Sequence, residues 1–126
     1  MELIVHMTIG EVSKKFGMTA DTIRYYERIG LLPYIPRQKN GIRDFDEEAC
    51  KWVHFIKCMR NAGVQIEALI EYVTLMKNDD DPQRRRDILV QQRVKLLDKL
   101  EQLQSTIERL NFKIDHYNEM ILNAKQ

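Results

Sequence analysis

The chain is poor in most features that announce chemistry or a membrane. Its 126 residues include 2 cysteines, 3 prolines, 5 glycines and 3 histidines, with a formal net charge of +1. Two cysteines without a secretory context read as free thiols in a reducing cytoplasm. No apolar run approaches the roughly 20 residues of a membrane span. The N-terminus lacks the basic and apolar regions of a secretory signal. Residues 1–6 (MELIVH) precede Met7, a second candidate start, and are assigned no role. The glycines form no phosphate-cradling loop, and there is no nucleophile elbow and no carboxylate pair tied to a pocket. His6, His54 and His116 lie far apart along the chain. An enzyme therefore has little support and no cofactor is expected. The near-zero net charge excludes a global basic field of the kind that draws nucleic acid non-specifically. The length leaves room for one domain and an appended element.

What is present is concentrated in residues 8 to 45, TIGEVSKKFGMTADTIRYYERIGLLPYIPRQKNGIRDF. Thr8 and Glu11 make a capping box ahead of Ile9, Val12 and Phe16, which repeat at helical spacing, and Gly17 ends that helix. Thr19 caps a second helix with Asp21 in its first turn. Ile23 and Tyr26 face inward, leaving Arg24, Tyr25 and Arg28 outward. A helix-turn-helix inserts the N-terminal residues of its second helix into the major groove. Here those are Ala20, Asp21 and Thr22, with little reach to base edges, so phosphate contacts by Arg24 and Tyr25 are expected to carry much of the affinity. After Gly30, Lys39-Asn40-Gly41 is a hairpin signal, since Asn-Gly suits positive φ. Arg37, Lys39 and Arg43 cluster around it. They are either a solvated basic turn or, directly after a helix-turn-helix, a wing lying on phosphates.

These segments, above all TIRYYERIGLL followed by GIRDF, resemble the MerR family of transcription regulators over about residues 7 to 80. The resemblance implies that Arg24, Tyr25 and Tyr26 contact the DNA backbone or lock the helix, and that Arg43 grips phosphate from the wing. Phe45 stands where the family usually has a tyrosine, so it is not counted as a DNA ligand. The segment DEEACKWVHFIKCMRNAG resembles the NmlR/AdhR-like branch, thiol-based regulators that respond to reactive aldehydes and related electrophiles. That branch's cysteine corresponds to Cys58.

Farther on, a third helix is predicted from Asp46 to Asn61. It has an acidic first turn, Gly63 past its end, and Trp52, Phe55, Ile56 and Met59 as a core face. A fourth, Ile66 to Met76, offers Leu69, Ile70 and Val73. Asp81-Pro82 then opens a long helix. Along it Leu89, Leu96, Leu100, Leu103, Ile107, Leu110, Ile114, Tyr117 and Ile121 fall on alternating steps of four and three after Leu96, the 3.5-residue repeat of a left-handed coiled coil. From Gln83 to Ile121 this helix spans on the order of 58 Å. It cannot bury its stripe alone, so a homodimer is expected through Leu96, Leu100, Leu103, Ile107, Leu110, Ile114 and Tyr117.

The fold expected is mainly α. A winged helix-turn-helix DNA-binding head with a small β wing occupies 7–77, and a long dimerising helix occupies 82–122. The resemblance implies that the helices pair as an antiparallel coiled coil. It also implies promoter DNA with inverted half-sites, distortion of an over-long spacer, and RNA polymerase as partner. The candidate DNA-binding residues are Thr19, Ala20, Asp21, Thr22, Arg24, Tyr25, Arg28, Arg37, Lys39 and Arg43.

Metal-sensing relatives place cysteines near the far end of the dimer helix, where this chain has none after Cys58. Drug-sensing relatives carry a large separate effector domain. Neither reading is expected here. Cys58, flanked by Lys57 and Arg60 and one turn from His54, is the candidate sensor thiol, against the alternative of an inert apolar filler. Cys50, His54 and Cys58 share one side of the helix, but no fourth metal ligand is evident. Cys50 and Cys58 lie about 12 Å apart along the helix, beyond the reach of a disulfide. Cys50, at the polar start of the helix, reads as a bystander or a secondary redox thiol. Two rivals to a regulator remain: a non-sensing architectural protein of excisionase type, and a coiled-coil scaffold whose winged head binds protein.

Overall fold

The start of the first helix is fixed by two reciprocal hydrogen bonds. Thr8 is extended and its hydroxyl accepts from the Glu11 N–H, while the Glu11 carboxylate accepts from the Thr8 N–H, both at 3.1 Å. In a computed structural model, which describes residues 6–125, this capping box opens α1 (Ile9–Phe16). Gly17, at φ 64°, ends it in the left-handed conformation that glycine adopts without strain. α2 (Ala20–Arg28) follows after Thr19, and α3 (Glu47–Asn61) after Asp46, whose side chain accepts from the Ala49 N–H at 2.8 Å. α4 (Ile66–Lys77) has no side-chain cap.

α5 (Pro82–Ala124) runs for 43 residues, about 64 Å at the usual rise. The Asp81 carboxylate accepts from the Arg84 N–H at 2.9 Å, as an N-cap should. The turn before α5 holds both Asp79 and Asp81 at positive φ, 48° and 40°. Left-handed backbone at a residue with a side chain costs about 1–2 kcal/mol each, so this turn is strained.

Two compact units divide the chain, one ending at Ile88 and one beginning at Leu89. In the first, Val12, Ile23, Leu31, Leu32, Ile35, Phe45, Val53, Ile56 and Val73 are fully buried. α1 packs on α2 and α3. The core face predicted for α3 is corrected. α3 buries Ala49, Cys50, Val53 and Ile56, whereas Trp52, Phe55 and Met59 are only partly covered. Both stripes have helical spacing and share Ile56, so periodicity could not choose between them.

The wing is smaller than a sheet. Arg37 pairs with Arg43, and Met7 with Phe45, in isolated antiparallel bridges. The second bridge has both hydrogen bonds, Met7 N–H to Phe45 O and Phe45 N–H to Met7 O, at 2.9 Å. It ties the segment before α1 to the outgoing side of the wing. His6, to which the sequence assigned no role, adds a 2.9 Å contact from Nδ1 to Asp44; residues 1–5 lie outside the described residues. The turn falls at Lys39-Asn40-Gly41, as expected. Gly41 N–H donates to Gln38 O at 2.9 Å and Gln38 N–H to Ile42 O at 2.8 Å. Only Gly41 has positive φ, 84°, while Asn40 uses its side-chain oxygen to accept from the Ile42 N–H at 3.1 Å. The hairpin loop thus closes through a glycine bulge, with the positive φ on Gly41 alone and not on Asn40.

In the second unit, Leu100, Leu103, Ile107, Leu110, Ile114, Tyr117 and Ile121 are each 51–59% exposed, and Leu96 is less so. Among the described residues no helix is long and apolar enough to cross a membrane.

Candidate nucleic-acid interface

The leading end of α2 is capped and cross-braced by short-range side-chain contacts. Thr19 Oγ1 accepts from the Thr22 N–H at 3.1 Å and lies 2.7 Å from Thr22 Oγ1. Ala20 is partly covered between them. Asp21, almost fully exposed, accepts from Arg24 Nη1 at 2.9 Å. Ile23 is buried and Tyr26 partly buried, which turns Arg24, Tyr25 and Arg28 outward as expected. The Arg28 guanidinium lies over the Tyr25 ring at 5.4 Å. One face of α2 therefore carries two arginines and an aromatic ring, with a single carboxylate ahead of them.

The wing is held against this helix by a residue that the sequence reading did not single out. Glu27 Oε1 accepts from Arg37 Nη2 at 3.2 Å, and Glu27 Oε2 accepts from Arg43 Nε at 3.3 Å. Arg37 also donates through Nη1 to Gly41 O at 3.0 Å, bracing the turn from within. Glu27 and Arg43 are only 23% and 22% exposed. One carboxylate thus fixes two wing arginines whose remaining N–H groups are available to an anion. The signal for it was present in YYER, an acid preceding a loop whose cations were otherwise unmatched. Lys39, at the exposed tip of the turn, makes no hydrogen bond or ion pair among the described residues. Two exposed apolar side chains, Tyr34 at 74% and Ile42 at 54%, flank the wing and were also missed.

The two cysteines separate cleanly. Cys50 is 6% exposed, with Sγ 3.8 Å from Phe45 O and 3.9 Å from Met7 Sδ. Burial pushes its thiol pKa up; Lys15 partly offsets this and Asp46 adds to it. Cys50 is a core residue, which corrects its placement at a polar helix start and leaves it a bystander rather than an accessible redox thiol. Its place at the start of the helix is misleading because that start is covered by the Met7–Phe45 bridge.

Cys58 is exposed, and its Sγ lies 3.7 Å from His54 Nε2. The basic flanks point elsewhere: Lys57 Nζ donates to Phe16 O, and Arg60 Nη1 to Val64 O at 2.6 Å. The His54 ring in turn packs on Phe16 at 5.4 Å. A side-chain path therefore runs from the Cys58 sulfur to the last residue of α1. Among the described residues no group of three or more His, Cys, Asp or Glu could hold a metal ion.

The comparisons with known proteins agree with this geometry. The regulator AdhR of Bacillus subtilis, an HTH-type transcriptional regulator, is 55% identical over 93 residues. The match covers 73% of this chain and 66% of AdhR, just under two thirds of it. A crystal structure of a MerR family transcriptional regulator from Listeria monocytogenes superposes with a TM-score of 0.87 at 42% identity, covering 94% of this chain and 91% of that one. HiNmlR, a MerR family regulator lacking the sensor domain and solved bound to promoter DNA, has the same fold, with a TM-score of 0.83 at 22% identity and coverage of 91% and 92%. The family model described as MerR HTH family regulatory protein matches residues 7–75, more than half the chain, and the chain belongs to that family.

Proposed function

We propose that the chain is a homodimeric, sequence-specific DNA-binding transcriptional regulator that distorts a promoter and is switched through Cys58. One observation carries the DNA-binding reading. Glu27 ties Arg37 and Arg43 of the basic wing to α2, the helix that turns Arg24, Tyr25 and Arg28 outward, and Lys39 lies exposed at the wing's tip. These side chains track phosphates, while Thr19, Ala20, Asp21 and Thr22 lead into the major groove. HiNmlR's complex with promoter DNA supports the same use here.

The half-exposed stripe from Leu96 to Tyr117 is the dimer seam, and it pairs antiparallel with its copy. A two-fold dimer reads inverted half-sites, and bending the DNA between them requires several kcal/mol that the phosphate contacts offset. RNA polymerase at that promoter is the remaining partner, in the cytoplasm. The exposed Cys58 beside His54, with contacts leading to α1, supports a thiol sensor for reactive aldehydes or oxidants.

The test is transcription from a promoter recovered by selection of bound duplexes, with and without a reactive aldehyde. The proposal expects recovered sites to be inverted repeats and aldehyde to change transcription in the wild type but not in Cys58→Ala. Sites without two-fold symmetry would remove the dimeric reading, and an unaltered aldehyde response in Cys58→Ala would remove the sensor.

A further inference from the structure

Away from the DNA-facing surface, three aromatic side chains of α3 and α4 surround a hollow that the core does not fill. Trp52 and Phe55 meet edge to face, with centroids 5.7 Å apart at 89°. Tyr72 of α4 is tilted to both, 6.1 Å from Trp52 at 46° and 6.2 Å from Phe55 at 44°. The rings line an open surface hollow of about 200 Å³ rather than stacking shut, and Glu48 and Lys51 complete its lining.

The charges of the lining are not equivalent. Lys51 Nζ is 3.5 Å from the Glu47 carboxylate, one turn earlier. Glu48 makes no hydrogen bond or ion pair among the described residues. It precedes Trp52 by four residues and Phe55 by seven, so all three lie on one face of α3. The unmatched charge in the lining is therefore a carboxylate on the same helix face as two electron-rich rings. That combination attracts a cation whose charge is spread over methyl groups, because each ring quadrupole favours positive charge while the methyl surface leaves water at little cost.

We infer that the Trp52–Phe55–Tyr72 hollow, with Glu48 in its lining, is a binding site for a small organic cation of the quaternary ammonium class. The site is separate from Cys58 and does not depend on the thiol reading. α3 begins directly after Phe45 at the end of the wing, so an occupant seated on its first two turns sits at the base of the DNA-binding head.

Trp52 is the chain's single tryptophan, so its fluorescence reports the site directly. The experiment titrates full-length protein with choline and, in parallel, with 3,3-dimethyl-1-butanol, its uncharged isostere. The expected result is a saturable change in Trp52 emission with choline at millimolar or lower concentration, and binding of the alcohol weaker by about tenfold or more. Glu48→Gln should weaken choline by roughly tenfold while leaving the alcohol unchanged. Tyr72→Leu, with circular dichroism as the control for folding, should weaken choline by a similar factor. No saturable change with choline, or equal binding of the alcohol, would overturn the assignment. So would emission that follows protein concentration alone, which would give the hollow to a second copy of the chain.

Discussion

Glu27 and Arg43 face each other at 3.3 Å, joining the recognition helix to the wing across sixteen residues of sequence. Both are largely covered, so the pair is screened less than a surface ion pair and also holds Arg37 through the second carboxylate oxygen.

Replacing Glu27 by Gln should cost about 2 kcal/mol of stability, the scale of a charged hydrogen bond lost in a partly buried setting. Its effect on DNA separates two accounts. Removing a negative charge near phosphate would by itself tighten binding, whereas release of the wing should weaken it. We expect operator affinity in Glu27→Gln to fall, measured by fluorescence anisotropy beside a denaturation curve.

Lys39→Ala should act through charge alone, since this side chain braces nothing. Stability should be unchanged within about 0.5 kcal/mol. The plot of log affinity against log salt concentration should lose about one unit of slope, with the loss similar for operator and unrelated duplexes.

The cysteines should react in opposite ways. Brief alkylation of native protein at neutral pH should label Cys58 and spare Cys50, whose buried thiol holds its proton more tightly than an exposed one. The sign of the linked pH effect follows. The folded-state pKa of Cys50 is raised, so its contribution is complete below the unfolded thiol pKa of about 8.5 and is lost as pH rises through the folded value. Melting temperature between about pH 8 and 10 should therefore fall more steeply for the wild type than for Cys50→Ala, read by thermal scans across that range.

Ile107→Asp places a charge in the middle of the exposed stripe and should dissociate the dimer. Sedimentation should show a monomer with helical content largely retained. Affinity for a paired-site operator should drop by two orders of magnitude or more, while half-site binding persists.

The winged head was legible because its signals are local. Thr8 with Glu11, Gly17 and Thr19 each act within a single turn and appear where spacing placed them, while Asp46, read as the first helical residue, caps α3 instead. The long α5 was legible from its period, and the stripe proposed as its seam lies exposed along it. What was hidden depended on contacts distant in sequence. Met7 meets Phe45 across 38 residues, and this bridge is what covers Cys50. Trp52 and Phe55 read as core because their stripe has the same period as the buried one, and only the packing of α3 against other helices decides which is covered. Glu27 was overlooked for the same reason, since an acid in a basic motif gains meaning only when the wing folds back onto it.

The Thr19–Thr22 hydroxyl contact and the Asp21–Arg24 pair bear on the thermodynamics of recognition. Side chains that are loose in the free protein lose about 0.5–1.5 kcal/mol each in conformational entropy when a partner freezes them. At the tip of α2 the Thr19 and Thr22 hydroxyls already meet within the helix, which reduces the ordering left for DNA to impose there. Association should accordingly resemble the docking of a preformed edge, with the entropic penalty concentrated in the bent DNA rather than in the protein.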